Sequence, residues 1–171
     1  MITTDDLASI KVIYNASFPE EEQRPWNDLT DKIQSGKIRL EVARGEAGCV
    51  LGFATVWRFG TFSYIEHLAV DASGRGLGVG GRLLDSVVRS EGKPVLVEVE
   101  PADTGGDARR RIVFYERHGF VQYPDFAYVQ PPYCQGLPEV PLMFMVSENV
   151  GGKVLVSMSS TLHKEVYGRK C

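Results

Sequence analysis

The first half of the chain changes from helical to strand-like spacing of its apolar residues. Residues 4–18 carry apolar side chains at helical intervals and predict a first helix, with Thr4 as a suitable N-terminal cap. A second, shorter helix is predicted from Pro25 to Gly36. Three strands with hairpin-length connections are then predicted at residues 38–43, 49–59 and 61–70. Consecutive strands joined in this way favour an antiparallel meander.

The pattern changes after Val70, where a glycine-rich loop at residues 71–81 leads into an amphipathic helix. The remaining predicted elements are a strand at 94–100, a helix at 108–118, strands at 120–129 and 141–146, a strand near 154–158 and a short helix near 161–167. This order predicts an α+β fold of one domain, in which a mixed, mostly antiparallel central sheet carries helices on both faces.

Composition narrows the class of protein. The chain has 171 residues, 43% of them hydrophobic and 24% charged, with a net charge of −3, so no strong field favours nucleic acid or an anionic membrane. No apolar stretch approaches the roughly 20 residues of a membrane span. The three cysteines, at 49, 134 and 171, are widely spaced and show no metal-ligand pattern. These features predict a reduced, cytoplasmic, metal-free domain.

The glycine loop carries the most informative chemistry, in the run Arg75-Gly76-Leu77-Gly78-Val79-Gly80-Gly81. Glycines let backbone amides approach a ligand closely, and the start of the following helix offers unpaired N–H groups and a positive dipole end. We expect these amides to bind phosphate. The alternative interpretation is a flexible turn in which the glycines serve only as bends.

Three phosphate-binding motifs overlap in this loop. Gly76-x-Gly78-x-x-Gly81 matches the dinucleotide fingerprint, but that motif requires a strand running almost directly into its first glycine. A Walker-type loop is excluded because Arg82 and Leu83 stand where it needs Lys and then Ser or Thr. Arg75-Gly76-Leu77-Gly78-Val79-Gly80 fits the third pattern, Arg/Gln-x-x-Gly-x-Gly/Ala.

That third pattern resembles the loop of the GNAT superfamily of acyl-CoA-dependent N-acetyltransferases. The upstream segment Tyr64-Ile65-Glu66-His67-Leu68-Ala69-Val70 resembles its central strand, and Phe114-Tyr115-Glu116-Arg117-His118-Gly119-Phe120 resembles its Phe-Tyr-x-x-x-Gly-Phe helix end. The resemblance covers about residues 4–146. We therefore expect a GNAT-like domain over residues 1–171, with this motif-bearing core and a C-terminal strand and helix extension at 147–171.

The resemblance implies roles for the loop and the strand before it. The amides from Arg75 to Gly81 would hold the pyrophosphate of coenzyme A, with Gly76, Leu77, Gly78, Val79 and Gly80 between them. The main chain of Leu68, Ala69 and Val70 would pair with the pantetheine arm. The Val70 N–H would polarise the thioester carbonyl, where attack by a nucleophile develops an oxyanion.

Glu66 is the sequence candidate for the base that deprotonates an attacking amine. It stands four residues before Val70, so strict alternation places both on one face of the strand, together with Tyr64 and Leu68. A carboxylate among apolar neighbours has a raised pKa, which suits proton removal. The alternatives are an ion pair with Lys or Arg, or exposure to solvent.

Tyr115 is the candidate general acid, because the resemblance implies that it protonates the departing thiolate. The alternative is a buried tyrosine that only packs and makes a structural hydrogen bond. The same helix begins with an arginine run, Arg109 to Arg111, where many relatives carry Asn and then Ala. These arginines could pair with Asp107 or contact the phosphates of the coenzyme.

Other charged residues carry weaker signals. Glu98 and Glu100 share one face of a strand and could supply a second base or bind a cationic acceptor, although surface carboxylates are more common. The acidic run Glu20 to Glu22 stands where the family places an acceptor-binding loop. His67 is expected on the face opposite Glu66, as an ordinary core or surface histidine.

Together these observations predict an N-acetyltransferase that moves acetyl from acetyl-CoA directly to a primary amine in a ternary complex. The expected partner is a small-molecule or peptide amine, without nucleic acid, membrane or metal, and a homodimer is left open. One alternative is a non-catalytic acyl-CoA-binding module. A second is a nicotinamide-dinucleotide-binding protein that uses Gly76, Gly78 and Gly81.

Overall fold

The computed structural model describes residues 2–168, so the predicted domain ends at residues 1 and 171 lie outside the described part. Its helices are α1 (Thr4–Ser17), α2 (Trp26–Gln34), α3 (Val79–Glu91), α4 (Gly106–Arg117) and α5 (Gly152–Thr161). Its strands are β1 (Ile38–Arg44), β2 (Val50–Arg58), β3 (Ser63–Val70), β4 (Val95–Val99), β5 (Val121–Gln130) and β6 (Val140–Val146). A π-helical turn, Leu162–Val166, continues α5.

The six strands form one sheet in the order β1-β2-β3-β4-β6-β5. Neighbouring strands are antiparallel except for β3 and β4, which run parallel. The predicted antiparallel meander is present as β1, β2 and β3, and the α+β prediction with a mostly antiparallel sheet is confirmed. A dinucleotide-binding fold needs repeated parallel units, which this strand order does not provide.

Apolar side chains pack on both faces of the sheet. One cluster joins α1, α2 and α5 to the sheet through Ile10, Leu29 and Met158. The other joins α3 and α4 to the opposite face through Leu84 and Ile112. The helices therefore cover both faces, as predicted, and hold the strands between two apolar layers. None of the helices described within residues 2–168 is long and apolar enough to cross a membrane.

The C-terminal strand predicted near residues 154–158 is wrong, because this segment belongs to α5. Val154 and Val156, whose alternation indicated a strand, are 43% and 57% exposed. Leu155, Met158 and Leu162 are buried instead, and their spacing of three and four residues is helical. The segment thus packs a helical stripe of apolar residues against the core, and the two exposed valines at alternate positions have the spacing of a strand.

The start of α1 also differs by one residue from the prediction. Thr3, rather than Thr4, is the cap, and its hydroxyl accepts a hydrogen bond from the Asp6 amide at 3.1 Å. The Asp6 carboxylate accepts the Thr3 amide at 2.8 Å, which completes a reciprocal capping pair. Arg44 then holds Asp6 through two hydrogen bonds and fixes the helix end against β1.

Candidate active site

The parallel strands β3 and β4 separate soon after they meet. They pair only at Ser63–Ile65 against Val95–Val97, although β3 continues to Val70 and β4 to Val99. The peptide groups on this edge of β3 therefore lie beside a gap, and a cavity of about 310 Å³ occupies it. The sequence-predicted residues that border this cavity are Glu66, Leu68, Ala69, Val70, Arg75 and Tyr115.

A β-bulge interrupts β3 beside this cavity. Thr55 of β2 pairs with His67, but the next residue, Val56, pairs with Ile65. Glu66 is therefore an extra residue with no counterpart on β2. An extra residue of this kind locally breaks the alternation of side chains between the two faces of a sheet.

The bulge brings Glu66 and His67 to the same face. The Glu66 carboxylate accepts from the Trp57 indole at 2.8 Å, and the His67 ring lies 3.3 Å from the Tyr14 hydroxyl of α1. The Val70 side chain lies on the opposite face, against α3. The prediction that Glu66 shares a face with Val70 is wrong, and so is the prediction that His67 faces away from Glu66.

The Glu66 carboxylate is buried and fully engaged. Arg24 donates to Oε1 from Nε at 2.9 Å and from Nη2 at 2.7 Å, and the Tyr133 hydroxyl donates to the same oxygen at 2.9 Å. Burial alone would raise the pKa of Glu66, but the Arg24 guanidinium and these hydrogen bonds lower it below the usual range. The expected raised pKa is wrong, and the alternative of an ion pair with arginine is what the structure contains.

Glu98 has the properties that were expected of Glu66. It lies on β4, borders the cavity, and its Oε2 accepts from the hydroxyls of Tyr64 at 2.5 Å and Tyr167 at 2.7 Å. Its Oε1 is buried and has no hydrogen-bond partner among residues 2–168. Burial raises the pKa of Glu98 to about 7, outweighing the nearby tyrosine hydroxyls that favour the charged form. A carboxyl group near neutrality can take or give a proton at physiological pH.

The sequence contained one usable signal for this residue. On β4, Val95, Val97 and Val99 belong to the core on the α3 and α4 face, while Leu96 belongs to the opposite core. Alternation therefore places Glu98 on the buried Leu96 face. A carboxylate at an inward position is rare unless it has a function or a partner.

Tyr115 lies on α4 and borders the same cavity. Its ring packs against Phe114 and Phe120, with centroid separations of 5.2 and 5.4 Å. Burial raises the pKa of Tyr115 to about 12, opposed in part by Arg111. The hydroxyl therefore keeps its proton at neutral pH, as a general acid requires, and the packed ring holds it in one place.

The glycine loop divides into two kinds of position. Gly76 and Gly78 have φ of +75° and +70°, a left-handed conformation that strongly favours glycine. Gly78 caps α3 without a side-chain hydrogen bond, so the first amides of the helix have no intrahelical partner. Gly81 is required for packing instead, because a Cβ there would lie 2.8 Å from the His118 ring.

A second groove, of about 830 Å³, lies between the start of α3 and α4. Gly78 and Gly81 border it, and its basic lining consists of Arg82, Arg109, Arg110 and Arg117. The arginine run of α4 is split between sites: Arg110 pairs with Asp107 on the surface, and Arg111 donates to Glu100 at 2.8 Å beside the central cavity. The interpretation as a pair with Asp107 thus holds for Arg110, and the contact of the run with the phosphates of the coenzyme stays a prediction.

Two further carboxylates and an arginine border the cavity. Glu22, from the 3₁₀ turn Glu20–Glu22, and Glu100, which follows β4, border the cavity together with Arg111. Burial raises the pKa of Glu22, and the nearby negative charge of Glu100 adds to the effect. This wall combines negative charge with partial desolvation.

Comparisons with known proteins agree with this geometry. Residues 38–122 match the acetyltransferase (GNAT) domain. A solved structure from Bacteroides thetaiotaomicron, assigned to the GNAT acetyltransferases, has a TM-score of 0.86 and 33% identity, covering 99% of this chain and 97% of that one. An aminoglycoside 6′-N-acetyltransferase complexed with coenzyme A shares the fold, with a TM-score of 0.62, 17% identity, and coverage of 84% and 91%.

YjbC of Bacillus subtilis, assigned as an acetyltransferase, is 35% identical over 114 residues. The match covers 65% of this chain and 56% of YjbC, so it spans little more than half the length of that relative. Splayed parallel strands, a glycine loop that opens a helix, and a central cavity between them define an acyltransferase-like fold. The chain belongs to the GNAT family of acetyltransferases.

Proposed function

We propose that this protein is an N-acetyltransferase that moves the acetyl group of acetyl-CoA to a primary amine by direct attack. The observation that carries the proposal is the buried Glu98 carboxyl, with a pKa of about 7, in the cavity that Tyr115 also borders. The two pKa values, about 7 for Glu98 and about 12 for Tyr115, are well separated, so Tyr115 keeps its proton where Glu98 exchanges one. Such a separation suits one base and one acid in the same reaction.

The loop and strand edge fit the acyl donor. The unpaired amides at the start of α3, from Val79 to Gly81, together with the left-handed Gly76 and Gly78, would hold the pyrophosphate. Arg75 and Leu77 lie in the same loop. The arginines of the second groove offer positive charge for the remaining phosphate of coenzyme A. The open edge of β3, at Leu68, Ala69 and Val70, offers its peptide groups to the pantetheine amides.

The chemistry needs the acceptor nitrogen to lose two protons and the leaving sulfur to gain one. Glu98 accepts the first proton from the ammonium form of the acceptor, so the nitrogen gains the lone pair that attacks the thioester carbon. The Val70 N–H is the proposed donor to the carbonyl oxygen as negative charge develops there. The C–S bond then breaks, and Tyr115 gives its proton to the departing thiolate. The second proton of the nitrogen is released to solvent, Tyr115 recovers a proton from solvent, and Glu98 gives up its own before the next cycle. We assign the base to Glu98 rather than Glu66, because Arg24 holds Glu66 in its charged, hydrogen-bonded form.

The acidic wall supports an amine acceptor. The carboxyl groups of Glu22 and Glu100 can accept hydrogen bonds from a protonated amine, while Arg111 balances part of the charge of Glu100. Donor and acceptor would both be held at this cavity, which supports direct attack.

The first experiment measures which ligand the protein binds. Acetyl-CoA, coenzyme A and NAD are compared by isothermal titration calorimetry and by thermal unfolding, where a ligand at 100 times its Kd adds about 2.7 kcal/mol of stability. Acetyl-CoA and coenzyme A are expected to bind and NAD is not. Binding of NAD alone would instead support the dinucleotide alternative.

Turnover is tested next, with a panel of primary amines and detection of free thiol. Glu98→Gln is expected to lower kcat by about 100-fold, within the range of general-base catalysis, while the Kd for acetyl-CoA stays unchanged. Glu46→Gln, in the turn between β1 and β2, is the matched control and should behave as wild type. Coenzyme binding without turnover in any of these proteins would favour the non-catalytic acyl-CoA-binding module.

A further inference from the structure

The C-terminal segment folds back onto the site from beyond the motif-bearing core. After α5, the π-helical turn Leu162–Val166 buries Leu162 and Val166 completely or nearly so, and Tyr167 follows with only 3% exposure. The Val166 carbonyl accepts from Arg24 Nη2 at 2.8 Å. This segment is therefore an integral part of the folded domain, although the last motif that resembles the family ends at Phe120 and the family match ends at residue 122.

Tyr167 contacts the proposed base directly. Its hydroxyl donates to Glu98 Oε2 at 2.7 Å, beside the Tyr64 hydroxyl, which donates to the same oxygen at 2.5 Å. The two hydroxyl oxygens lie 3.0 Å apart. Of these residues Glu98 borders the cavity, while Tyr64 and Tyr167 do not. The tyrosines thus reach the site only through the carboxyl group.

This arrangement treats the two carboxyl oxygens differently. Both donors are directed at Oε2, and Oε1 is left without a hydrogen-bond partner in the described chain. Two donors on one oxygen fix the orientation of the carboxyl plane and stabilise its negative charge. The Tyr128 hydroxyl is a third group near the carboxyl group that also favours its charged form.

We propose that Tyr167 is a positioning residue, through which the C-terminal segment sets the orientation and the proton affinity of Glu98. The inference rests on the proposed function, since it gives Glu98 the role of base. It assigns a task to a segment that lies outside the motifs of the family.

The groups around Glu98 allow the contribution of Tyr167 to be isolated. The titratable neighbours that influence its pKa, or respond to its charge, are Tyr64 and Glu66 on β3, Tyr128 on β5, Tyr133 after β5, and Tyr167. Burial raises the pKa of Glu98, Glu66 adds to the rise, and the hydroxyls of Tyr128, Tyr64 and Tyr167 lower it. Removing one of these hydroxyls is therefore expected to move the pKa upward.

A purely structural role makes a different prediction. The Tyr167 ring packs against the Tyr133 ring at a centroid separation of 5.1 Å, and phenylalanine would preserve this contact. If packing were the only task of Tyr167, the hydroxyl could be removed without changing the titration of Glu98. Tyr167→Phe separates the two interpretations because it removes one oxygen atom and keeps the ring.

The test compares pH profiles of kcat for wild type and Tyr167→Phe. The lost hydroxyl no longer stabilises the charged carboxylate and the remaining tyrosines compensate in part, so the acid limb should move up by roughly one pH unit. At pH 6 this lowers kcat about tenfold, while kcat above pH 9 and the KM for acetyl-CoA stay near wild type. Tyr123→Phe, which removes a hydroxyl bonded to Asn149 and Val150, is the matched control and should leave the profile in place.

A second measurement does not depend on turnover. The side-chain carboxyl carbon of Glu98, labelled with ¹³C and assigned by its loss in Glu98→Gln, is titrated by NMR in wild type and Tyr167→Phe. An upward shift of about one unit in the variant supports the inference, and coincident titrations overturn it. A wild-type protein that transfers no acetyl group at any pH would refute the proposed function, and the NMR titration would report separately on the Tyr167 contact.

Discussion

The buried pair of Glu66 and Arg24 allows a quantitative test of how the site is built. Glu66→Gln preserves the size of the side chain and removes its charge. The Arg24 side chain, which is only 3% exposed, would retain the carboxylate of Asp28, itself 41% exposed, and the carbonyl of Val166. The glutamine oxygen could still accept from Arg24, but the negative charge that balances the guanidinium would be lost, and the new amide nitrogen would face the Trp57 indole N–H, which is also a donor.

The expected magnitude follows from the burial of both groups. Removing one partner of a buried ion pair typically costs about 3–5 kcal/mol, because the remaining charge stays in a poorly solvated site. The remaining contacts of Arg24 offset part of this, so a loss of about 3 kcal/mol in the free energy of unfolding is expected. At about 2–4 °C per kcal/mol for a domain of this size, Tm should fall by roughly 6–12 °C.

Urea unfolding followed by circular dichroism at pH 7.5 measures this loss, with an unchanged m-value as the sign of two-state behaviour. Asp107→Asn is the matched control: it removes a carboxylate from the exposed pair with Arg110 and should leave the free energy of unfolding nearly unchanged. A loss below about 1 kcal/mol in Glu66→Gln would refute the conclusion that the pair is a buried structural unit.

Three further results are expected. Because the pKa of Glu98 is raised on folding to about 7, wild type should lose stability relative to Glu98→Gln as pH rises from about 4.5 to 7, measured by urea unfolding at each pH; parallel curves would contradict this. Gly78→Val should weaken coenzyme A binding at least tenfold by calorimetry, because valine is strained at φ +70°. Unchanged affinity would argue against the glycine loop as the pyrophosphate-binding site. Leu155→Ala should lower stability by about 2–5 kcal/mol, whereas exposed Val156→Ala should change it by less than about 0.5 kcal/mol.

Much of the fold was predictable because long elements repeat their pattern several times. The meander before Val70 and the helix after Gly78 combine periodic apolar residues with clear end signals, and the structure has them within a few residues. Segment 154–158 failed because the valines at 154 and 156 alternate like a strand on the exposed side of a helix. The segment fits both the strand period of two and the helical period of about 3.6, and the packing of Leu155 in the core selects the helix.

The candidate site was predictable in place but less so in detail. The loop and the strand before it were located by motif, yet the face of Glu66 was wrong because a single bulge residue cannot be read from alternation. The ion pair that lowers the pKa of Glu66 joins residues 42 positions apart, and Arg24 carried no local signal. Tyr167 lies still further along the chain from the residues it contacts, so sequence spacing could not have indicated its place.

The hydrogen bond from Arg24 to the Val166 carbonyl spans 142 positions of the chain. A ribosome synthesises the helices and strands of the N-terminal half long before residues 162–167 leave the exit tunnel. Until then Arg24 lacks the Val166 carbonyl and Glu98 lacks the Tyr167 hydroxyl, and the wall behind the cavity is incomplete. The nascent chain can form local structure early, but this site closes only once residues 162–167 are free to fold, which places its assembly among the slow, non-local steps of folding.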